Sequence, residues 1–350
     1  MAVLSGLSPE QLAELLEATL PGQPSFRTAQ IFKWIARGAL SFNDMTDLSR
    51  ELREELSARH SLYGSSIADR LEDPDGTVKL KIRLADGAMV EAVLLADGEG
   101  RQTACISTQA GCPVGCVFCK TGSLGFLRNL ESYEIVEQFL HIRSISPTIA
   151  NIVIMGMGEP LLNLEELRKA LDIITHKDGI GLSKRRITLS TSGIVEGIRH
   201  LADAGPDIRL AVSLTTADPT LREQLMPIGR SNPLPELKEA LQYYQKKRNR
   251  RITLETVLLG GINTRNEDID ALVNFARGLD AAVNLIPWNP VEGMTFRDHA
   301  LRQPSGAEIT QFTRELTRRG ITVTRRFRKG SSIAGACGQL GEIPVKPCAI

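Results

Sequence analysis

The feature that most constrains the fold is a regular alternation of apolar strands and amphipathic helices that begins near residue 103. Six β-branched runs predict strands at 104–108, 151–155, 186–190, 208–214, 252–259 and 282–287. Helical periodicity predicts helices at 131–142, 164–175, 195–204, 234–245, 267–279 and 306–319. Nearly continuous apolar strands are typical of parallel sheets covered on both faces. The pattern therefore predicts an α/β fold with six βα units, either open or partly closed as a barrel, whose chemistry lies at the carboxyl ends of the strands.

The segment before residue 103 has a different organisation. Ser8-Pro9-Glu10-Gln11 is a capping-box start for a first helix, and helical stretches follow at 28–37 and 47–59. Alternating apolar residues at 78–84 and 89–95, joined by Asp86-Gly87, predict a β-hairpin with one solvated face. We therefore expect an N-terminal helical domain at 1–62, a hairpin extension at 63–102 and a catalytic core at 103–340.

Composition excludes some classes of protein. The chain has 350 residues, a formal net charge of +1 and 42% hydrophobic residues, as in an ordinary soluble globular protein. No apolar run approaches the roughly 20 residues that span a bilayer, and no secretory signal is evident, so we expect a cytoplasmic protein without membrane contact. In that compartment, six cysteines favour metal binding or catalysis over disulfide scaffolding.

Three of the cysteines form the most specific motif, Cys112-Pro-Val-Gly-Cys116-Val-Phe-Cys119, after the first predicted strand of the series. Three closely spaced thiolates can bind an iron–sulfur cluster and leave one iron open to a small chelating molecule. The alternative is a zinc site with Cys105 as its fourth ligand. Zinc sites usually combine paired C-x₂-C units, so the asymmetric spacing favours iron and sulfur.

Polar residues recur where later strands end. They are Gly158 and Glu159 after the second strand, Ser190 at the third, Ser213, Leu214 and Thr215 at the fourth, and Asn289 after the sixth. Glycine permits close approach of the backbone to a ligand, and short polar side chains at strand ends are typical of cofactor pockets. Each position also has a plain structural interpretation as a turn or a helix N-cap. Their recurrence at successive strands favours cofactor contacts.

The cysteine motif, with Phe118 before its last cysteine, resembles the radical S-adenosylmethionine (SAM) superfamily. Further stretches at 108–111, 121–130, 226–229 and 335–340 resemble the RlmN/Cfr family of RNA adenine methyltransferases, over about residues 4–340. The resemblance implies a partial (βα)₆ radical SAM barrel. It also implies one 4Fe–4S cluster held by the three cysteines, and SAM consumed twice per turnover.

The resemblance also implies roles for residues outside the cluster motif. Cys337 would accept a methyl group from SAM, and Cys105 would resolve a covalent RNA adduct by forming a disulfide with Cys337. Glu91 would accept a proton, although the alternation of its strand also fits a solvated sheet residue. Cys337 has the alternative of a small buried residue. Cys348 matches nothing in the family pattern.

The substrate implied by the resemblance is an adenine in RNA. We expect methylation of carbon 2 in 23S ribosomal RNA and in transfer RNA, with carbon 8 as the alternative. The sequence leaves two rival functions open: a non-catalytic iron–sulfur or zinc RNA-binding module, and a different radical SAM enzyme such as a glycyl-radical activase. Thr215 stands where many relatives have histidine, and the tail before Cys337 lacks the acidic residues of many relatives; both weaken the exact substrate assignment.

The resemblance further implies an electron donor such as flavodoxin or ferredoxin and a monomeric enzyme. Basic clusters lie at 184–186, 246–251 and 325–329. Charge runs are usually solvated faces. The last cluster directly precedes the Cys337 segment, so we expect it to contact phosphate groups, and the N-terminal helices would help to hold the RNA.

Overall fold

The computed structural model describes residues 1–97, 100–325 and 328–341. The helices are α1 Pro9–Thr19, α2 Phe26–Arg37, α3 Arg50–Arg59, α4 Lys120–Ser123, α5 Ser132–Ile145, α6 Leu164–Thr175, α7 Val195–Ala204, α8 Pro219–Leu225, α9 Leu234–Arg248, α10 Asn266–Ala276 and α11 Gly306–Arg318. The strands are β1 Ser66–Glu72, β2 Val78–Arg83, β3 Met89–Ala96, β4 Gln102–Cys105, β5 Gln109–Gly111, β6 Phe126–Asn129, β7 Ile149–Ile154, β8 Ile187–Thr191, β9 Arg209–Ser213, β10 Ile252–Leu258, β11 Ala281–Pro287, β12 Thr295–Phe296, β13 His299–Ala300 and β14 Thr322–Arg325. Cys348, and Arg326 and Phe327 of the last basic cluster, lie outside the described residues.

Ten strands form one sheet in the order β1-β2-β3-β4-β7-β8-β9-β10-β11-β14. All pairs from β4 to β14 are parallel, and their order follows the chain. Successive right-handed crossovers in one direction place the helices on one side of the sheet, as in a barrel that stays open. The predicted α/β architecture is therefore confirmed. It gains a seventh parallel strand, β14, which was missed because its four residues are short of apolar side chains.

The predicted hairpin is a three-stranded antiparallel extension. The missed strand, β1, pairs with β2 at the edge of the sheet, and β3 pairs with β4 to join the extension to the parallel strands. The expectation of a solvated face is wrong at its centre, because Lys79 is 8% exposed and Glu91 only 2%. The segment 330–341 lies against this face, more than 200 residues away along the chain.

Local signals determine most element ends. The capping box predicted at Ser8 is present, with the Ser8 side chain accepting from Gln11 N and Pro9 at the first helical position. Every helix and strand predicted from residue 104 onward is present, with its ends within three residues of the prediction. The first parallel strand stops at Cys105 rather than at residue 108, because the next residues leave the sheet. Ser107 instead bonds to Gln138 on α5 and to the carbonyl of Glu91.

One apolar core runs from the N-terminal helices through the sheet to α11. It includes Leu12 of α1, Ile31 of α2, Leu189 of β8 and Leu316 of α11, all fully buried or nearly so. No helix in the described part of the chain combines the length and the apolar character needed to cross a membrane.

A buried carboxylate joins the N-terminal segment to the core. Glu137 on α5 is fully buried and accepts from Ser5 Oγ at 2.5 Å, Gly64 N at 2.8 Å and Ser65 N at 2.8 Å, and it also bonds to the Ser65 hydroxyl. His141, one turn later, bonds to the same hydroxyl. Burial raises the pKa of Glu137, while these hydrogen bonds act in the opposite direction. The carboxylate thus positions the chain where it passes from the helices to β1.

Replacing Glu137 by alanine leaves four donors, one on buried Ser5 and three on half-buried Gly64 and Ser65, without their acceptor, so we expect the free energy of unfolding to fall by about 3–5 kcal/mol. Urea unfolding of cluster-free protein measures this loss. Glu239 of α9 is an exposed glutamate, so Glu239→Ala is the control and should stay within about 0.5 kcal/mol of wild type. A loss of unfolding free energy below about 1 kcal/mol for Glu137→Ala would contradict the role of Glu137 in positioning the chain between the N-terminal helices and β1.

Candidate active site

Two adjoining cavities open at the carboxyl ends of the parallel strands. We call one the inner cavity; its lining includes these predicted site residues: Cys112, Cys116, Cys119, Gly158, Glu159, Ser190, Ser213, Thr215, Asn289 and Cys337. The other, the outer cavity, has a volume of about 450 Å³ and is lined by Cys105 and Cys337, among others. Cys337 lines both. Parallel strands end at the same edge of a sheet, which is why residues so distant in sequence converge here.

The cysteine loop is folded tightly at one side of the inner cavity. Cys112 N donates to Gly125 O at 2.7 Å, and Cys119 N donates to Cys116 O at 3.2 Å. Gly122 packs beneath the loop, where a Cβ would lie 2.9 Å from the backbone N and O of Cys116. Burial raises the pKa of Cys112 to about 12 and also raises the pKa values of Cys116 and Cys119. Deprotonating these thiols without a metal is therefore unfavourable, and a positively charged metal centre would stabilise the thiolates.

The donor set fits an iron–sulfur cluster better than zinc. The ligands of a single zinc ion each lie about 2.0–2.3 Å from it, so they crowd together. Cys105, the fourth ligand in the zinc alternative, lines the outer cavity and not the inner one. Cys112, Cys116 and Cys119 share one loop, whereas Cys337, the fourth cysteine in the lining of the inner cavity, belongs to a distant segment. Three cysteines from one loop are the set expected for a cluster with one open iron.

Glu159 is held at the floor of the inner cavity. It is 2% exposed and accepts from Thr191 Oγ1 at 2.7 Å, from Ser192 Oγ at 2.7 Å and from Ser192 N at 2.6 Å. Burial raises the pKa of this carboxyl, and the bonds from Ser192 oppose the shift. Gly158 has φ +105°, and a Cβ there would lie 2.6 Å from Gln109, so only glycine fits. A positively charged ligand group beside Glu159 would find a fixed negative partner.

The lining of the inner cavity also includes the unsatisfied hydroxyl of Thr215. Thr215 has φ 61°, a strained conformation for a β-branched residue. Its Oγ1 is buried and has no hydrogen-bond partner among the described residues. Leu214 is fully buried beside it. A strained residue with an orphaned hydroxyl on a cavity wall fits a cofactor contact better than the helix-cap interpretation.

Three neighbouring strands contribute a polar network to the same cavity. Ser190 Oγ of β8 bonds to Ser213 Oγ of β9 at 3.1 Å and to Glu255 Oε2 of β10 at 2.9 Å. Glu255 is 5% exposed, and the sequence patterns did not single it out. A single acidic residue inside the apolar run of 252–259 is the signal that could have identified it. The network offers one carboxylate and two hydroxyls to a polar ligand.

The end of β11 connects the cysteine loop with the segment that carries Cys337. Trp288 Nε1 donates to Phe118 O at 2.9 Å, and Asn289 Nδ2 donates to Cys337 O at 3.0 Å. From the other side, Lys120 N donates to Gly338 O at 2.8 Å. Cys337 is therefore fixed by backbone contacts directly above the cysteine loop.

The outer cavity combines two thiols with positive charge. Cys105 at the end of β4 and Cys337 both line it, as do Arg325, Arg328 and Lys329. None of the five cysteines in the described residues is in a disulfide. An opening lined by two thiols and three cations suits a nucleotide, because cations attract its phosphates.

Carboxylates of the antiparallel extension anchor both ends of the Cys337 segment, which we define as residues 330–341. Gly330 N donates to Asp75 at 3.0 Å, and Ser332 donates to Asp73 through N at 2.8 Å and Oγ at 2.7 Å. At the other end, Gly341 N donates to Glu91 Oε2 at 2.6 Å. Hydrogen bonds from Asp75 N and Ser332 lower the pKa of Asp73 to about 2. Asp73 is therefore ionised at neutral pH and makes charge-assisted bonds.

Glu91 is not the solvated residue of the alternative interpretation. Its Oε1 lies 3.1 Å from Lys79 Nζ, in a pair that is almost fully buried. It does not line either cavity. Its observed contacts bind the end of the Cys337 segment to β3, and its role as a proton acceptor stays a prediction.

We expect Asp73→Ala to loosen the Cys337 segment. The change removes two bonds from the Cys337 segment to a charged group, so amide exchange across 330–337 should accelerate at least about tenfold. Hydrogen–deuterium exchange followed by mass spectrometry measures it. Asp69→Ala is the control, because Asp69 lies on β1, where it pairs with Lys81 at 3.8 Å and accepts from Arg70 N, and these contacts do not involve the Cys337 segment. Unchanged exchange in Asp73→Ala would show that the segment is held elsewhere.

Removing any one cluster cysteine tests the metal assignment. We expect Cys112→Ala, Cys116→Ala and Cys119→Ala each to reduce bound iron from about four per chain to near zero after anaerobic reconstitution. Cys105→Ala is the matched control and should retain iron. Iron and sulfide analysis with the visible spectrum gives the result. Loss of metal in Cys105→Ala would instead support the four-cysteine zinc alternative.

Several cations of the two earlier basic clusters form ion pairs. Lys184 pairs with Asp172, and Lys247 pairs with Asp203. Arg250 bonds to Asp207 through its Nε at 2.8 Å. Arg325, Arg328 and Lys329 of the last cluster line the outer cavity beside Cys337, so this cluster is the candidate for contacts with RNA.

Two protein-family models match this chain. Residues 106–276 match the family model of the radical SAM superfamily, and residues 3–62 match that of the ribosomal RNA large subunit methyltransferase N-terminal domain. A solved structure, a radical SAM methyltransferase from Sphaerobacter thermophilus, is 38% identical with a TM-score of 0.91, covering 97% of this chain and 99% of that one.

Curated relatives match over nearly the whole chain. The probable dual-specificity RNA methyltransferase RlmN of Treponema denticola is 51% identical over 339 residues, which cover 97% of this chain and 95% of that protein. The Thermus thermophilus protein of the same name is 43% identical over 97% of this chain and 95% of its own length. Identity at this level over the whole length, with both domain matches, establishes the relationship. The chain belongs to the RlmN family of radical SAM RNA methyltransferases.

Proposed function

We propose that this enzyme methylates carbon 2 of an adenine in 23S ribosomal RNA and in transfer RNA, through an S-methyl intermediate on Cys337. The observation that carries the proposal is the position of Cys337, which lines both the inner cavity and the outer cavity. A group on its sulfur can therefore be loaded from the cofactor side and delivered on the RNA side. The relatives' dual-specificity name supports two RNA substrates.

The cluster cysteines and the strand-end residues would hold the cofactors. Cys112, Cys116 and Cys119 would bind one 4Fe–4S cluster, and Glu159, beside Gly158, would bind the amino group of SAM. Ser190, Ser213, Thr215 and Asn289 would contact the rest of that molecule, with Leu214 packed behind them. When bound, the cluster supplies the single electron that splits SAM into methionine and a 5′-deoxyadenosyl radical.

Cys337 is the residue that carries the transferred carbon. Its thiolate first takes a methyl group from one SAM, forming a carbon–sulfur bond and releasing S-adenosylhomocysteine. The S-methyl group then loses one hydrogen atom to the radical from a second SAM. The remaining methylene adds to carbon 2 of adenine, which is electron-poor and cannot itself attack SAM. The adduct gives up one electron, equal to the one consumed in splitting SAM, and the proton of carbon 2, for which Glu91 is the proposed acceptor.

Cys105 would complete the turnover. Its thiolate attacks Cys337 Sγ and forms a disulfide, and the carbon–sulfur bond to the methylene breaks. The released carbon takes up a proton and becomes the methyl group of the product. Two electrons must then reduce the disulfide, so an electron donor such as flavodoxin or ferredoxin serves the enzyme. The shared outer cavity supports this pairing of Cys105 with Cys337.

The remaining parts are proposed to bind RNA. The three cations that line the outer cavity would contact phosphates, and the helical domain at 1–62 would hold the RNA while the target base leaves its stack. The extension at 63–102 would support the Cys337 segment, and the core would extend over 103–340. We propose a monomer that works in the cytoplasm, where both RNA substrates occur.

The test is to treat RNA from a methylase-deficient strain with reconstituted enzyme and then to digest it to nucleosides. We expect 2-methyladenosine from both ribosomal and transfer RNA. Formation of 8-methyladenosine would move the enzyme to the carbon-8 alternative. An enzyme that binds iron yet methylates neither position would revive the RNA-binding module.

A further inference from the structure

Arg222 of α8 is the largest fully buried side chain of the described residues, at 1% exposure. Its Nη2 donates to Ser192 O at 2.7 Å, and its Nη1 donates to Asn232 O at 3.4 Å. Its Nε has no partner, and no carboxylate in the described ranges pairs with it. An unpaired buried cation is destabilising, and an anion near it would offset that cost.

The surroundings leave room for this guanidinium. A Cβ at Gly229 would lie 2.8 Å from Arg222 Nη1, and a Cβ at Gly193 would lie 3.1 Å from Nη2. Gly193 also has φ +98°. Glycine at both positions therefore allows the charged group to occupy a site that side chains would fill.

The same helix supports the cysteine loop. Leu225 O, at the end of α8, accepts from Val117 N at 3.0 Å. Leu221 and Leu225 belong to the apolar cluster that contains Phe118, and Cys116 and Cys119 pack against that cluster. The helix that carries Arg222 therefore packs directly against the cysteine loop, while Arg222 itself does not line the inner cavity.

We propose that Arg222 is the counter-cation of the iron–sulfur cluster and raises its reduction potential. The inference rests on the cluster assigned under the proposed function. Three thiolates give such a cluster negative charge, and reduction adds one more electron. A fixed positive charge nearby stabilises the reduced form more than the oxidised form. Arg222 thus acts through the cluster and is a positioning residue, not a catalytic one.

Three substitutions separate the charge from the hydrogen bonds. Arg222→Gln removes the charge and keeps amide donors, Arg222→Met removes both, and Arg222→Lys keeps the charge. We expect the ratio of reduced to oxidised cluster, at a fixed solution potential, to fall at least about tenfold in the first two variants. That factor corresponds to about 59 mV for a one-electron couple. Arg222→Lys should stay within about threefold of wild type.

Redox titration of the reconstituted protein, followed by electron paramagnetic resonance, measures this ratio. Equal ratios in Arg222→Gln and wild type, with equal iron content, would overturn the inference. Wild-type protein that binds no iron would instead overturn the proposed function, so the two failures are distinguishable.

Thermal unfolding gives a second readout that does not require reduction. Without the cluster, Arg222→Met should be at least as stable as wild type, because an unpaired buried charge is removed. Loading the cluster should then raise the melting temperature more in wild type than in Arg222→Met. A cluster-free variant that unfolds well below wild type, with an equal gain on loading, would assign Arg222 a purely structural role.

Discussion

Cys337→Ala is expected to abolish RNA methylation while leaving the iron content and the fold unchanged. Without the sulfur, no methyl group can be carried from the inner cavity to the outer cavity, and adenine carbon 2 cannot attack SAM itself. Activity should fall by at least about a thousandfold, because an essential nucleophile is lost. Liquid chromatography of digested RNA, coupled to mass spectrometry, measures the product. Reductive cleavage of SAM to 5′-deoxyadenosine should persist, since the cluster cysteines are intact.

Cys348→Ala is the control for a cysteine substitution. Cys348 lies outside the described residues and has no part in the proposed site, so this variant should keep wild-type activity. Methylation by Cys337→Ala at more than a few per cent of the wild-type rate would contradict the carrier role. It would indicate that the methyl group passes to RNA without a protein intermediate.

Cys105→Ala is expected to trap the enzyme on its substrate. If Cys105 resolves the adduct, its loss leaves the thioether between Cys337 and adenine intact. Product should then be nearly absent, and RNA should stay attached to the protein under denaturing, reducing conditions. The shared lining of the outer cavity by both cysteines is the structural basis for this expectation. Denaturing gel electrophoresis with labelled RNA detects the species, and ribonuclease digestion with peptide mass spectrometry locates it.

The double variant Cys105→Ala, Cys337→Ala is the matched control and should form no attachment. Multiple turnover by Cys105→Ala, with no trapped species, would show that another group resolves the adduct. Attachment that persists in the double variant would show that RNA is bound at a residue other than Cys337.

The parts of the fold that were predictable are those with local signals. Buried parallel strands are continuously apolar and helices keep their periodicity, so the six βα units were found with ends close to the observed ones. The convergence of the cysteine loop and the strand-end polar residues was also predictable, because parallel strands in chain order end at the same edge of the sheet. β1 and β14 were missed, since both are exposed edge strands with little apolar alternation.

Other features depend on distant parts of the chain. Lys79 and Glu91 alternate with apolar residues as a solvated face would, yet the two form a buried pair, and the distant Gly341 N bonds to Glu91. Glu255 and Arg222 are ordinary polar residues in sequence. Arg222 is significant because no carboxylate among the described residues pairs with it, and Glu255 because it lines a cavity that several strands form. Local patterns do not report such environments, because burial is set by the tertiary structure.

The most direct test of the proposed mechanism uses SAM whose transferable methyl group carries three deuterium atoms. We predict that the Cys337 peptide gains a methyl group with all three, while 2-methyladenosine in the RNA carries only two. The S-methyl group loses one deuterium before it reaches adenine, and the product methyl is completed by a proton. Mass spectrometry of the Cys337 peptide and of 2-methyladenosine measures the deuterium content of each methyl group. Three deuterium atoms in the RNA methyl group would contradict the mechanism, because they would show direct transfer of an intact methyl group.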